Sequence, residues 1–299
     1  MNGNSTSNKT KKVAVVTGSS SGIGLETSLT LAENNFRTYA TMRNLDKASN
    51  ILEPAKKKNN LSIEVVKLDV TDDFSVQNAI QSIAEKEGGQ IDLLVNNAGY
   101  TQLGAAEDLS SEEIQAQFNT NVFGIFRTIR EVVPIMRGQS AGGNIINIGS
   151  ANGFFGVPCA SAYVATKFAL EGLTQSLRYE LAPFGIKVTI IEPGAISTNV
   201  AYNSMYLPKK IQRRQSSLSD SSLSSPFTEM TKSIMDRSKN GVVNGSPPRI
   251  VADVVLQIAI AEKPNWRYPA GADAQRLFEA RTKMSDTEFE KFLYGLLGF

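Results

Sequence analysis

The stretch that decides the fold is Thr17-Gly18-Ser19-Ser20-Ser21-Gly22-Ile23-Gly24, which directly follows the short apolar run Val13–Val16. The run predicts a buried strand, and the glycines predict a turn, because glycine adopts positive φ angles at little cost. A helix is expected from this turn to about Asn34. The free N–H groups and positive dipole end of such a helix suit a pyrophosphate, and the alternative is a tight turn without a ligand.

The alternation of strand and helix continues along the chain. Further strands are predicted at Thr38–Met42, Ile63–Leu68, Ile91–Val95, Asn144–Ile148 and Lys187–Ile191, with helices at Asp46–Lys58, Asp73–Glu87, Asn119–Arg137, Ser161–Leu181, Ile250–Ala261, Ala274–Lys283 and Asp286–Leu297. Ser110 and Glu113 predict a capping box for one more helix. The strands are apolar on both faces, so the pattern predicts an α/β fold, a single Rossmann-type doubly wound parallel sheet with helices on both faces and a C-terminal helical extension.

We expect one domain over residues 13–299, after a polar, disordered tail at residues 1–12. Residues 200–248 interrupt the alternation, and the Ser-rich run at 213–226 is expected to be mobile, as a lid, a linker or a regulatory segment. Residues 249–299 are expected to form C-terminal helices and an edge strand near Trp266–Tyr268.

Composition excludes several kinds of chemistry. The chain has no histidine and one cysteine, Cys159, which excludes His-dependent triads, His-ligated metals and an intrachain disulfide, so no metal site is expected. Any proton transfer must use other side chains, such as Tyr or Lys. Basic and acidic residues nearly balance, 31 against 29, which gives no reason to expect a nucleic acid partner. No apolar run is long enough to span a bilayer, and we expect a cytoplasmic protein.

The end of the second strand reads Ala40-Thr41-Met42-Arg43 and carries no carboxylate. Dinucleotide folds that prefer NAD place an acidic residue there to bind the ribose hydroxyls. The planar fork of Arg43 could instead pair with a 2′-phosphate, so we favour NADP as cofactor, with NAD as the second candidate. The alternative for Arg43 is a solvated surface residue.

Tyr163 and Lys167 are four residues apart near the start of a predicted helix, so both lie on one face. A cation close to a phenol lowers its pKa toward the working range, which a histidine-free enzyme needs for proton transfer. The Y-x-x-x-K pattern alone also occurs by chance on solvated helices. Ser150 and Asn121 each have a structural alternative too, as a strand-end serine and a helix-capping asparagine, but all four are expected at the same edge of the sheet.

Six motifs occur in a familiar order and spacing: TGSSSGIG (17–24), NNAG (96–99), Asn121, Ser150, YVATK (163–167) and PGAIST (193–198). From about Val13 to Val200 the chain resembles the short-chain dehydrogenase/reductase family, and further stretches resemble its 17β-hydroxysteroid and retinol dehydrogenase branch. The resemblance implies an NAD(P)-dependent oxidoreductase that acts on CH–OH groups and interconverts an alcohol with a ketone or aldehyde.

The resemblance also implies roles for individual residues. Tyr163 would be the acid in reduction and the base in oxidation, Lys167 would bind the nicotinamide ribose and lower the tyrosine pKa, and Ser150 would hydrogen-bond the substrate oxygen. Asn121 would hold a water that links Lys167 to solvent. The implied cofactor-binding set is Gly18, Ser20, Ser21, Gly22, Ile23, Gly24, Arg43, Asp69, Val70, Asn97, Ala98, Gly99, Tyr163, Lys167, Pro193, Gly194, Ile196 and Thr198.

One departure concerns the cofactor. Many NADP-dependent members place a basic residue in the glycine-rich turn, where this chain has Ser19–Ser21, so the NADP preference rests on Arg43 alone.

Apolar residues flank the expected reaction centre. Phe154, Phe155, Val157 and Cys159 stand between Ser150 and Tyr163 and would suit a small hydrophobic carbonyl or alcohol substrate, with Phe155 as a substrate contact. The alternative is that they pack against the core or a partner subunit. The helices at Asn119–Arg137 and Ser161–Leu181 resemble those of the family's dimer interface, which implies a homodimer or homotetramer.

Two other function classes stay open. A non-redox enzyme on the same fold, such as an epimerase or dehydratase, usually carries a longer C-terminal substrate domain. A regulatory protein that binds the cofactor without turnover has no need of a proton donor, and the intact Ser150–Tyr163–Lys167 set argues against it.

Overall fold

The computed structural model describes residues 11–198, 205–209 and 225–298. Its strands are β1 (Lys12–Val16), β2 (Phe36–Met42), β3 (Ile63–Lys67), β4 (Leu93–Asn96), β5 (Thr101–Gln102), β6 (Gly143–Ile148), β7 (Ile186–Pro193), β8 (Met205–Tyr206) and β9 (Arg267–Ala270). Seven of them form one sheet in the order β3-β2-β1-β4-β6-β7-β9, and every neighbouring pair is parallel. The short strands β5 and β8 pair with each other, also in parallel.

The helices connect these strands and extend beyond them. They are α1 (Gly22–Glu33), α2 (Ser49–Lys57), α3 (Asp73–Lys86), α4 (Ser111–Phe118), α5 (Gly124–Gly138), α6 (Ser161–Leu181), α7 (Thr228–Val243), α8 (Arg249–Ile260), α9 (Ala272–Lys283) and α10 (Asp286–Leu297). Helix α4 begins with the predicted capping box of Ser110 and Glu113. Within the described ranges, none of these helices is long and apolar enough to cross a membrane.

Successive residues of the central strands face opposite sides of the sheet, as the backbone pleat requires. Val13 and Val15 of β1 pack into a core with α3, α5 and α6. Ala14 and Val16 pack into a second core with α1 and α8. Both faces of the sheet are therefore covered, which confirms the doubly wound α/β fold expected from strands that are apolar throughout.

The order of the strands creates a crevice at one edge of the sheet. The chain runs outward from β1 to β2 and β3, and then crosses back to place β4 on the other side of β1. Connections that leave two adjacent parallel strands in opposite directions open a cleft beyond their carboxyl ends. The turns after β1 and β4 flank this cleft, and Thr17 N–H donates to the carbonyl of Val95 across its base at 3.0 Å.

Most predicted elements are confirmed to within a few residues, and four points differ. The first strand begins at Lys12, one residue before the predicted domain start, and the helix predicted at Asn119–Arg137 opens with a π-helical turn at Asn119–Phe123 before α5. Helix α7 lies inside 200–248, where no element was predicted. The two-residue strands β5 and β8 were not predicted either. The tail up to residue 10 and the Ser-rich run up to residue 224 lie outside the described residues.

Candidate active site

The glycine-rich turn after β1 packs directly on the turn after β4. The Thr17 hydroxyl accepts hydrogen bonds from the N–H groups of Asn97 and Ala98, at 3.0 and 3.1 Å. Gly18 has a φ of +69°, and a Cβ on it would lie 2.9 Å from the Cα of Ala98. Only glycine fits this position, so the two turns lie in direct backbone contact at the base of the crevice.

A second contact fixes the start of α1. The Asn97 side chain donates to the carbonyls of Thr17 and Gly18, at 2.8 and 3.2 Å. A Cβ on Gly24 would lie 2.4 Å from that Asn97 amide nitrogen and 2.5 Å from the Gly18 oxygen. The Ser21 side chain makes no capping bond within the described chain, so it does not satisfy the first-turn N–H groups of α1. The turn after β1, the Asn97 side chain and the first-turn N–H groups of α1 together form a cradle, which fits the pyrophosphate of a dinucleotide.

The predicted adenosine-side residues occupy the neighbouring strand ends. Asp69 follows β3, and its carboxylate accepts from the backbone N–H and the hydroxyl of Thr71, at 2.9 and 2.7 Å. Val70 packs against Gly124 at the start of α5. Arg43 follows β2 and is exposed. Burial raises the pKa of Tyr100, and the Arg43 charge opposes that rise.

Lys167 is buried on α6 and reaches across to β6. Its ammonium donates to the carbonyl of Ile148 at 3.0 Å and lies 5.7 Å from the centroid of the Tyr163 ring. Loss of solvent lowers the pKa of this lysine to about 8, and the carboxylate of Glu171, one helical turn further on, acts in the opposite direction. The predicted i, i+4 pairing of Tyr163 and Lys167 on one helix face is therefore present.

The net shift of the Tyr163 pKa has the opposite direction to the one expected from the sequence. Desolvation of the hydroxyl raises this pKa above its ordinary value, while hydrogen bonding with Ser150 and Thr101 lowers it by less. Desolvation sets this net direction, and the Lys167 ammonium bonds to the Ile148 carbonyl, so the expectation that Lys167 lowers the tyrosine pKa stays a prediction. Thr101 was missed by the sequence analysis, since a threonine in a two-residue strand carries no local signal.

Asn121 lies within the π-helical turn before α5 and is buried. Its side-chain oxygen accepts from Tyr100 N–H at 3.1 Å, and its amide donates to the Tyr100 carbonyl at 3.0 Å. The same amide donates to the hydroxyl of Thr166 at 3.2 Å, and Thr166 stands next to Lys167 in α6. Asn121 therefore ties the segment after β4 to the helix that carries the tyrosine and lysine.

The predicted nicotinamide-side segment Pro193–Thr198 begins at the last residue of β7. Gly194 N–H donates to the carbonyl of Ala270 in β9 at 3.0 Å, and Ile196 forms a bridge with Ser246. The structure therefore places this segment between the end of the sheet and the chain that precedes α8.

The apolar residues near the site divide between two clusters. Phe155 is buried against Ala274 and Phe289 of the C-terminal helices, which favours the packing alternative for this residue. A second cluster includes Val164, the neighbour of Tyr163. Its other members come from the segments around β5, β8 and α7 and from the chain before α6: Leu103, Ala105, Val157, Cys159, Ala160, Met205, Leu207, Phe227, Ile234 and Met235.

A buried ionic cluster lies one helical turn beyond Lys167. Glu171 of α6 and Glu192 of β7 both pair with Arg267 of β9, the second at 3.2 Å. Glu192 is fully buried, and loss of solvent and the nearby Glu171 carboxylate raise its pKa to about 9. These residues are far apart in the chain, so sequence spacing could not reveal the cluster.

Comparisons with known proteins agree with this geometry. A family model described as short chain dehydrogenase matches residues 12–205. The uncharacterized oxidoreductase YusZ of Bacillus subtilis is 39% identical over 264 residues, covering 87% of this chain and 89% of its own. Human 17-beta-hydroxysteroid dehydrogenase type 1 is 32% identical over 263 residues, covering 86% of this chain and 77% of its own.

Solved structures show the same fold. A short-chain dehydrogenase from Streptomyces avermitilis superposes with a TM-score of 0.77 at 30% identity, covering 96% of this chain and 99% of its own. A structure of ElxO with NADP bound superposes with a TM-score of 0.69 at 26% identity, covering 89% and 99%.

Replacement of Glu192 by glutamine should change how stability depends on pH. The folded-state pKa of Glu192, about 9, lies above the ordinary glutamate value, so the folded protein holds a proton that the unfolded chain releases. The stabilisation from that proton is complete below about pH 4 and is lost as the pH rises toward 9. From pH 5 to pH 9 the melting temperature of the wild type should therefore fall by several degrees relative to that of Glu192→Gln. Each kcal/mol of lost stability corresponds to about 2–4 °C.

The control for this experiment is Glu180→Gln, an exposed glutamate on α6. Its melting temperature should follow the wild type at every pH. A difference between Glu192→Gln and wild type that stays constant with pH would contradict the assignment of a bound proton.

Proposed function

This chain belongs to the short-chain dehydrogenase family, and from that premise we propose that it interconverts an alcohol and a ketone or aldehyde with NADP(H), using Tyr163 as acid and base. The proposal includes the family residues Ser150, Lys167 and Asn121 at the reaction centre. The matched relatives are oxidoreductases by name, and a similar structure binds NADP, which supports a nicotinamide cofactor for this chain.

One observation carries the proposal: the buried ammonium of Lys167 lies over the ring of Tyr163, whose hydroxyl has Ser150 and Thr101 as partners. A buried lysine costs several kcal/mol unless its charge is compensated. Here the Ile148 carbonyl and the Glu171 carboxylate compensate it. An arrangement with that cost beside a tyrosine is typical of a functional site rather than of a solvated helix face.

The raised pKa of Tyr163 suits its role in reduction. A phenol whose pKa lies above its ordinary value is protonated near neutral pH and can donate that proton to the carbonyl oxygen of a substrate. Ser150 would hydrogen-bond the same oxygen as negative charge develops on it. In oxidation Tyr163 must lose its proton first, and the ammonium of Lys167 favours the phenolate.

A Cβ at Gly18 or Gly24 would break the contacts with Ala98 and Asn97 that hold the cradle together. The cradle fits a dinucleotide because the start of α1 beside it has no side-chain cap and offers free N–H groups to a pyrophosphate. We propose the predicted cofactor set as its binding residues, with the pyrophosphate at the start of α1 and the nicotinamide near Ile196 and Thr198. When bound, the cofactor supplies or accepts the hydride. The protein then positions the substrate and handles the proton.

The NADP preference rests on Arg43. Its exposed guanidinium follows β2, the strand end where NAD-preferring dinucleotide folds carry an acidic residue. A planar guanidinium can form paired hydrogen bonds with a 2′-phosphate.

The substrate is proposed to be hydrophobic. The apolar cluster that contains Val164, the neighbour of Tyr163 in α6, also contains Leu103, Cys159, Ile234 and Met235, and so joins the segment after β5 to α7. An apolar cluster next to the proposed acid favours the apolar body of a ketone or alcohol whose oxygen reaches Tyr163.

We further propose a cytoplasmic homodimer or homotetramer. Three phenylalanines are exposed, to 49%, 45% and 46%: Phe123 just before α5, Phe126 in its first turn, and Phe168 on α6. Exposed phenylalanines on two helices that resemble the family's subunit interface favour burial between copies of the chain.

The first prediction is that Tyr163→Phe removes the proton donor and leaves the fold intact. The turnover number should fall about 100-fold or more, whereas calorimetric affinity for the cofactor should change little. Tyr179→Phe on the same helix, where Tyr179 is 81% exposed, is the matched control and should behave as wild type. Near-normal turnover by Tyr163→Phe would contradict the proposed acid.

The second prediction concerns the cofactor. Arg43→Ala should raise the Michaelis constant for NADPH about tenfold or more and leave that for NADH little changed, because only NADPH carries the 2′-phosphate. Lys56→Ala, an exposed lysine on α2, controls for the loss of one positive charge. An equal effect of Arg43→Ala on both cofactors would rule out the 2′-phosphate contact.

The third prediction concerns assembly. Light scattering at micromolar concentration should give a multiple of the 32.4 kDa chain mass. The double variant Phe126→Asp, Phe168→Asp should shift the mass toward a monomer, while Leu296→Asp on α10 should not. A monomeric wild type would contradict the proposed oligomer.

A further inference from the structure

The carboxylate of Asp273 lies against the loop that follows β7. Its Oδ2 accepts the N–H of Ala195 at 2.7 Å. A Cβ built on Gly194 would lie 2.2 Å from each of its two oxygens. Asp273 is in the first turn of α9, where the helix dipole favours a negative charge. A residue 78 positions further along the chain therefore holds the backbone of this loop.

The rest of the loop is held by the segment around Ser246. The Ala195 carbonyl accepts from Ser246 N–H at 2.9 Å, and Ser197 N–H donates to the Ser246 carbonyl at 2.8 Å. A Cβ on Gly245 would lie 2.5 Å from that Ala195 oxygen. The N–H of Ala195 is thus bound by Asp273 and its carbonyl by Ser246, and both partners come later in the chain.

Glycines make the close approach of Asp273 feasible. Gly271 has a φ of +100°, and a Cβ on it would lie 2.9 Å from Oδ1 of the carboxylate. Together with Gly194, it leaves room for the carboxylate between the end of β9 and the loop. A side chain at either position would displace the aspartate.

We propose that Asp273 is a positioning residue for the nicotinamide half of the cofactor, which it serves by fixing the backbone of Gly194–Thr198. The inference rests on the proposed function, in which this loop contacts the nicotinamide. It adds that the two halves of the cofactor are held independently, which the proposed function does not require. The cradle for the adenosine half depends on β1, β4 and α1, and its contacts among the described residues do not involve Asp273.

Two ligands allow binding of the nicotinamide half of the cofactor to be measured separately from binding of the adenosine half. NADP carries both, whereas 2′-phospho-ADP-ribose carries the adenosine half and pyrophosphate without nicotinamide. Calorimetric titration of Asp273→Ala should show an affinity for NADP about tenfold below that of wild type, because a charge-assisted hydrogen bond that orders the loop is lost. Its affinity for 2′-phospho-ADP-ribose should stay within about twofold of wild type.

Three further variants serve as a conservative replacement, a second probe of the same contact and a control. Asp273→Asn keeps the size and an acceptor oxygen, so its loss for NADP should be smaller than that of Asp273→Ala and should be measurable even if the alanine variant fails to fold. Gly194→Ala acts on the same contact from the loop side and should show the same ligand selectivity. Asp286→Ala removes the matching first-turn aspartate of α10, which is 88% exposed and pairs with Arg281, and should leave both affinities unchanged.

The outcomes separate this inference from the proposed function. The positioning role would be overturned if Asp273→Ala and Asp273→Asn lost equal affinity for both ligands, or lost none for either. The proposed dinucleotide site would be unaffected by that result. A wild-type protein that binds neither ligand would overturn the proposed function and this inference with it.

Discussion

The ammonium of Lys167, buried between a strand end and a tyrosine ring, is the interaction on which the rest of the site depends. Its bond to the Ile148 carbonyl fixes α6 against the carboxyl end of β6, and so sets where Tyr163 and Ser150 meet. The same bond requires compensation for a desolvated charge, which Glu171 supplies. The glutamate is in turn held by Arg267 of β9, so the last strand of the sheet supports the charge balance of the centre.

The two ends of the crevice are built from different parts of the chain. The cradle near Gly18 is formed within the first hundred residues, by direct contact of the turns after β1 and β4. The opposite end depends on β7, on Ser246 and on Asp273, which come much later. A doubly wound sheet brings these segments together because its parallel strands all point their carboxyl ends to one edge.

Features with a local cause were predictable from the sequence. Strands β1 to β4 follow from short β-branched runs, and the i, i+4 spacing of Tyr163 and Lys167 follows from helix geometry. The capping box of Ser110 and Glu113 is local in the same sense. Helix α7 was not predicted because its sequence is largely polar and directly follows the Ser-rich run, and β5 and β8 are too short for a pattern. The direction of the Tyr163 pKa shift could not be predicted, because desolvation of a side chain depends on tertiary packing.

The central claim is that Tyr163 is a protonated acid in the free protein and becomes ionisable under the influence of Lys167 when oxidised cofactor binds. The direct measurement is an ultraviolet absorbance titration of tyrosinate, taken as the difference between wild type and Tyr163→Phe, with and without oxidised cofactor. The account predicts a Tyr163 pKa above about 10 in the free protein. It also predicts a lower value with cofactor, and a smaller decrease in Lys167→Met. The same pKa with and without cofactor would contradict it.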